Sequence, residues 1–291
     1  MRVLSIMNHK GGVGKTTLSK LISEWGVREG LRVLGIDMDP QANFSTRFIE
    51  MVEEDGRPSA PPVHPTFDPD DPDWEELPTP PPGYWSIAQL FRLGYVEPYP
   101  TRYDKMMLIP SHRTELMDLL LEVRKADIEN ALVRVLVEVL KDEYYTENFD
   151  LVVIDTPPQV SPITAAAARA ATHLLIPTMM HEDSLRGMIS MAELWRSENL
   201  SRADNELRLV GILPTLYDRR ASDQRANMEE LQHHKVMSPY LLKQPMSHMT
   251  TYRSASTTYA EPKSLFDLSE KNRCRQEAQV ICDEILRRTM A

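Results

Sequence analysis

The stretch that decides the fold is Val3-Leu4-Ser5-Ile6-Met7-Asn8-His9-Lys10-Gly11-Gly12-Val13-Gly14-Lys15-Thr16-Thr17. Val3–Met7 is a short apolar run, the pattern of a buried strand, and residues 16–29 have the pattern of a helix. A strand that ends in a glycine-rich turn and opens into a helix aims successive backbone N–H groups at one spot, and the helix N-terminus adds positive potential there. Polyphosphate is the natural occupant. Glycine is needed because Cβ atoms would keep the backbone from wrapping the phosphates. Lys15 can reach the β and γ phosphates and the Thr16 hydroxyl can ligate Mg²⁺.

Outward from this loop, short apolar runs alternate with helical stretches along 291 residues. Strands are expected at Val33–Asp37, Met106–Ile109, Leu151–Asp155, Leu174–Pro177 and Leu207–Leu213, and helices at 114–143, 162–171, 184–199, 222–235 and 264–289. Near-continuous Val/Ile/Leu strands separated by helix-length crossovers define an α/β fold: a doubly wound, mostly parallel sheet flanked by helices, with its ligand at the C-terminal strand ends. Two of those strands end in acids. Asp37 and Asp39 stand at i and i+2 of an extended segment, so both carboxylates can face one metal or water site. Leu151-Val152-Val153-Ile154-Asp155 is an apolar run capped by an aspartate, placed where Asp155 can hold Mg²⁺ through water.

The plain phosphate-loop pattern requires glycine at position 9, where this chain has His9. Lys10-Gly11-Gly12-Val13-Gly14-Lys15-Thr16-Thr17 instead resembles the deviant Walker A motif of the ParA/MinD family of P-loop ATPases. The resemblance implies ATP and Mg²⁺ as cofactors, with the whole motif from Lys10 to Thr17 around the nucleotide. It further implies that Lys10 reaches the partner's nucleotide across an ATP-bound homodimer while Lys15 serves its own. A cation supplied in trans neutralises charge developing on the transferred phosphoryl group. Asp37-Met38-Asp39-Pro40-Gln41 resembles a family segment in which Asp39 would position or activate the attacking water and Asp37 would support the magnesium shell and the loop. Asp155-Thr156-Pro157-Pro158 resembles the switch that senses the γ-phosphate. Gly211 to Arg220 resembles the strand and loop that hold adenine, which makes Pro214, Thr215 and Asp218 nucleotide contacts. The resemblance covers nearly all of the chain outside residues 48–105, and the chain is expected to be one ATPase domain, 1–291, carrying an acidic proline-rich insertion there.

ParA proteins bind DNA without sequence preference and are stimulated by a ParB-like adaptor, whereas MinD-like relatives dock on membrane. The formal net charge of −10 argues against nucleic acid until it is located. Residues 48–82 hold ten acids, one base and ten of the 22 prolines, a net −9 that leaves −1 for the rest. This composition favours an exposed, partly extended loop without helix or central strand. Residues 201–291 carry fourteen Lys/Arg against twelve acids. Arg219, Arg220, Lys243, Arg253, Lys263 and Arg273 are the candidate DNA contacts, because salt-sensitive phosphate neutralisation suits a moving ATPase. The terminal stretch Gln276–Ala291 has an apolar stripe but no Phe or Trp for membrane insertion, and a core-packed helix is expected. Two cysteines, Cys274 and Cys282, both late in the chain, exclude a disulfide framework and a cluster-bearing electron donor and favour a reducing, cytoplasmic compartment, within which the ParA resemblance implies association with the nucleoid. No run of about 18 apolar residues occurs and no membrane partner is expected.

Overall fold

The computed structural model describes residues 1–68, 83–126, 129–202, 206–254 and 264–291. In chain order the elements are β1 (Arg2–Ile6), α1 (Lys15–Arg28), β2 (Val33–Asp37), β3 (Val52–Glu54), β4 (Arg57–Ala60), α2 (Ile87–Leu93), β5 (Tyr99–Pro100), β6 (Met106–Ile109) and α3 (Arg113–Ala126). They continue with α4 (Glu129–Val139), α5 (Glu143–Asn148), β7 (Leu151–Asp155), α6 (Pro162–Ala170), β8 (His173–Met179), α7 (Glu182–Ser201), β9 (Arg208–Thr215), α8 (Ser222–His233), α9 (Thr250–Ser254) and α10 (Arg273–Met290). Seven strands form one sheet in the order β5-β6-β2-β7-β1-β8-β9, and β3 and β4 form a separate hairpin. Every pairing in the large sheet is parallel except β5 with β6. This is the doubly wound α/β sheet that the strand pattern calls for.

Side-chain alternation along the central strands separates two cores. Val3, Leu34, Ile36, Val152 and Ile154 face the layer that contains α2, α3, α4, α6 and α7. Leu4, Ile6, Val33, Leu151 and Val153 face α1 and α10. With period two along each strand, both faces of β1, β2 and β7 must be apolar for the sheet to be covered on both sides. α1 follows the phosphate loop directly, and α10 returns along it with Ile281, Cys282, Ile285 and Leu286 buried. The terminal stripe is therefore spent on the core, as its lack of aromatic residues suggests.

Three sequence expectations differ from the structure. The helix expected over 114–143 does not reach its expected end: α4 stops at Val139 and Asp142 starts α5 by accepting from the Tyr144 backbone N–H, while the junction of α3 and α4, at 127–128, lies outside the described residues. Apolar residues continue past Val139, so periodicity does not mark the stop. The helix expected from residue 264 begins at Arg273. Ser264 caps a single 3₁₀ turn at Leu265–Asp267, and the Asn272 side chain accepts from the Cys274 and Arg275 backbone N–H groups to start α10. Short polar side chains of this kind hydrogen-bond to the backbone in competition with a continuing helix.

Third, much of the stretch expected as an insertion at 48–105 joins the main core. Trp85, Ile87, Leu90, Phe91, Val96 and Tyr99 are all buried in the α2–α7 layer. The Tyr99 hydroxyl donates to the Pro62 carbonyl at 2.7 Å and accepts from the Trp85 N–H at 3.1 Å. β5 then closes one edge of the sheet, with Pro100 where no ladder donor is needed. The acidic part includes the β3–β4 hairpin, in which Ser59 and Ala60 are buried, so its first half is not a fully solvated loop. The composition rule still holds in that neither strand is central.

At the opposite edge β9 is covered by residues 241–247, where the Leu242 and Met246 N–H groups donate to the Ile212 and Pro214 carbonyls at 2.9 and 2.8 Å. Gly211 permits this approach: a Cβ there would stand 2.0 Å from Leu242 Cδ1 and 2.8 Å from the Tyr240 carbonyl oxygen. Gly211→Ala is expected to destabilise the fold by about 1–3 kcal/mol. Urea unfolding checks this, and an unchanged midpoint would show that the 240–242 segment yields freely.

Candidate functional site

The C-terminal ends of β1, β2, β7, β8 and β9 converge on the phosphate loop. Gly12 and Gly14 have φ of 74° and 88°, the left-handed region that glycine enters without strain. No atom lies within 4 Å of where a Cβ would stand on either, so the space over the loop is open. Asn8, at the end of β1, organises the entry: its amide donates to the Pro177 carbonyl at 2.7 Å and its oxygen accepts from the Lys10 N–H at 2.9 Å. Lys15 is buried, and its ammonium donates to the Asn8 and Lys10 carbonyls, each at 3.1 Å. Burial holds its pKa below the ordinary lysine value, against the opposing pull of Asp155 and Asp39. Lys10 is different. Its side chain is 35% exposed and its ammonium meets Asp183, at the start of α7, across 3.6 Å.

Asp155 ties β7 to α1. Its two oxygens accept from the Thr16 and Ser19 hydroxyls, each at 2.8 Å. Ser19 stands one turn beyond Thr16 on the same helix face, and that spacing is the signal the motif reading overlooked. Asp37 pairs in register with Asp155 on the adjacent strand. One Asp37 oxygen accepts from the Ser45 N–H and hydroxyl at 2.8 and 2.7 Å, and the other from the Asp39 N–H at 3.1 Å. Both aspartates are fully buried, which pushes their pKa values up, Asp37 to about 8 with the Asp155 charge adding to the effect, and Asp155 to about 6. Asp39 is half-buried and raised for the same reason. The geometry gives Asp37 a direct task in organising the loop after β2, since the groups that donate to it are the Asp39 N–H and the Ser45 N–H and hydroxyl.

This donor set fits a magnesium-bound polyphosphate. Asp155 and Asp39 both act on one buried lysine, with Asp37 beside Asp155 on the adjacent strand, a concentration of carboxylates that a hard divalent cation would offset, and the Thr16 and Ser19 hydroxyls are oxygen donors of the right class. Among the described residues no three His, Cys, Asp or Glu side chains form a protein-only metal cage. Magnesium held partly by water and phosphate needs none.

In the segment expected to hold the base, the Thr215 hydroxyl donates to the Val13 carbonyl at 2.9 Å, which fastens the end of β9 to the phosphate loop. Pro214 is buried, its carbonyl already accepting from Met246. Asp218 is half-buried; its N–H donates to the Gln224 side chain at 2.9 Å and its carboxylate accepts from the Arg220 N–H at 2.9 Å. Of the basic candidates, Arg219, Arg220, Lys243 and Arg273 are exposed, and Arg219 and Lys243 share a groove of about 480 Å³ between α8 and residues 238–245. Arg253 lies in α9, its side chain outside the described residues, and Lys263 is outside them altogether.

A strand-loop-helix with two lysines in its glycine turn, backed by buried aspartates on adjacent parallel strands, defines a P-loop nucleotide-binding protein. The family model described as an AAA domain matches residues 1–205. The chromosome-partitioning ATPase Soj of Thermus thermophilus is 29% identical over 76% of this chain and 71% of its own length. ParA of Myxococcus xanthus is 24% identical over 93% of this chain and 83% of its own. McdA of Cyanothece has the same fold, with TM-score 0.73, 22% identity and 98% and 99% of the two chains covered. The chain thus belongs to the AAA-domain family and within it to the ParA-type partition ATPases, and it is a positioning ATPase. Thr215→Val, which keeps the shape and removes the donor to Val13, is expected to cost about 1–2 kcal/mol of stability and to weaken nucleotide binding. Thermal melts with and without ATP check both parts.

Proposed function

We propose that the chain, working as one domain over 1–291, is an ATP-operated switch that hydrolyses ATP with Mg²⁺, pairs around two nucleotides, holds DNA without sequence preference and is reset by a ParB-like adaptor. The carrying observation is the unequal placement of the two loop lysines: Lys15 is buried under the loop and Lys10 stands at its mouth on one exposed ion pair. Exposed pairs of this kind are worth about 0–1 kcal/mol, so Lys10 can leave Asp183 at little cost. A partner's nucleotide would then take the ammonium, and charge developing on the transferred phosphoryl group would be neutralised from the second subunit. Bound magnesium would supply neutralisation of the phosphate oxygens on the near side. Thr16 and Asp155 would hold it, Asp37 would keep the 39–45 loop in place beneath it, and Asp39 would orient the attacking water. Lys15 would bind the phosphates of its own nucleotide, with Gly11 to Thr17 around them and Pro214, Thr215 and Asp218 along the base.

DNA is favoured over membrane as the track because α10 spends Ile281, Cys282, Ile285 and Leu286 on the core instead of offering them to a lipid surface. The exposed Arg219, Arg220, Lys243 and Arg273 are offered as phosphate contacts, with Arg253 and Lys263 as further candidates, on a protein lying against the nucleoid in the cytoplasm. Lys10→Ala is expected to abolish turnover while each subunit still binds ATP; an ordinary ATPase rate in that variant would sink the trans-lysine reading. Gel shifts with ATP, ADP and no nucleotide at two salt concentrations test the DNA reading. ATP-dependent, salt-sensitive retardation is expected, and liposome binding without retardation would favour a MinD-like membrane switch.

A further inference from the structure

The base-side loop is held in an unfavourable shape by a residue more than sixty positions away. Leu216, between Thr215 and Tyr217, has φ of 51°, a left-handed conformation that a residue with a Cβ adopts only when its surroundings impose it. Those surroundings come from residues 244–252. The Tyr217 N–H donates to the Met246 carbonyl at 3.0 Å and the Tyr217 carbonyl accepts from His248 at 3.1 Å, while Met246 donates to Pro214 at 2.8 Å. Leu216 is thus bracketed by hydrogen bonds to one short segment.

That segment is anchored by Glu277 of α10. The Glu277 carboxylate, in a residue only 8% exposed, accepts from the Ser247 N–H at 2.7 Å, the Ser247 hydroxyl at 2.6 Å, the Tyr252 hydroxyl at 3.1 Å and the Gln244 amide at 3.5 Å. Every one of these donors lies in residues 244–252. A buried carboxylate must satisfy its acceptor sites or bear a large desolvation cost, so Glu277 pins the segment to the helix from several directions at once. Among the described residues no Lys or Arg forms an ion pair with it. The chain of contacts runs from Glu277 through Ser247 and Met246 to Tyr217, past Leu216 to Thr215, and through the Thr215 hydroxyl to the Val13 carbonyl of the phosphate loop.

We infer that Glu277 is a positioning residue for the nucleotide base: through residues 246–248 it holds 214–218 in the conformation that recognises adenine, and so sets affinity and base preference without touching the ligand. This rests on the reading of 214–218 as the base-side wall. A rigid wall recognises by pre-organisation, and loosening it forces the loop to be ordered again at each binding event, which lowers affinity for the part of the ligand it faces. The phosphate end is built on α1 and Asp155 and meets this chain of contacts through the single Thr215–Val13 hydrogen bond, so it is expected to be much less affected.

The test measures ATP, GTP and inorganic tripolyphosphate binding to the full chain and its variants by titration calorimetry, with circular dichroism to confirm folding. Glu277→Ala is expected to weaken ATP about tenfold and to cut the ATP-over-GTP preference by a similar factor, with tripolyphosphate unchanged within about twofold. Glu277→Gln, which can still accept from the Ser247 N–H, is expected to recover most of the loss. Asp283→Asn is the control, since Asp283 lies on the same helix but accepts from the Trp25 indole at 2.7 Å, and it should leave base preference alone. If Glu277→Ala does not fold, Ser247→Ala carries the same readouts, with a smaller loss of ATP affinity at constant tripolyphosphate affinity expected. Unchanged ATP binding, or equal loss of ATP and tripolyphosphate, would overturn the inference. Asp218→Ala separates it from the reading beneath it. If that variant leaves base preference intact, 214–218 is not the base wall; if it alters preference while Glu277→Ala does not, only the role of Glu277 fails.

Discussion

Two carboxylates fully buried side by side, Asp37 and Asp155, are the constraint on which the rest of the site depends. Like charges on adjacent strands in a dry interior repel, and each must be met by donors or protonated. Asp155 is met by hydroxyls from α1, which sets where the phosphate-loop helix begins relative to β7. Asp37 is met by Ser45 and the Asp39 backbone, which sets the course of the loop after β2. Leaving one such group without a partner would cost more than the net value of an ordinary hydrogen bond. The phosphate loop and the loop that carries Asp39 are therefore held to the same pair of strand ends.

From that pair the contacts spread along the whole C-terminal edge of the sheet. The Ser45 hydroxyl accepts from the Ser111 N–H at 3.1 Å, joining the entrance of α3 to Asp37. Asn8 joins β1 to β8 through Pro177, and Thr215 joins β9 to the loop itself. The loop after β2 thereby touches the entrance of α3 directly and, through the Asp37–Asp155 pair, adjoins the start of α1. That is the arrangement a nucleotide-driven switch requires, because small changes at the phosphates have rigid elements to act on.

Fold by itself does not say what such a switch moves. Cobyrinic acid a,c-diamide synthase of Mycobacterium smegmatis, at TM-score 0.66 and 25% identity, shares this sheet with the partition proteins. What narrows the reading is local: a second lysine before the glycines, and relatives such as Soj that are partitioning ATPases over most of this chain. The net charge likewise carries information only once located, since its acidic excess is concentrated in 48–82 and the rest of the chain is close to neutral.

The phosphate loop, the six parallel strands and the acids at their ends were legible because each is a local pattern: a glycine turn between apolar runs, or a branched apolar run ending in aspartate. Ser19 and Asn8 were legible in principle by helix-face spacing and by position at a strand end. The joining of residues 84–100 to the core was not, because α2 is short and its apolar residues find their partners on α3 and α4, far along the chain. Nor was the stop of α4 at Val139, since apolar residues run on past it. The sequence by itself determined the class of fold and the chemistry of the phosphate site. Only the tertiary structure decided that Lys10 faces Asp183, which donors of the 39–45 loop Asp37 meets and that Glu277 holds residues 244–252 against α10. Each of these depends on groups far apart in the chain, or on which of several nearby donors a buried carboxylate meets, and no periodicity records that choice.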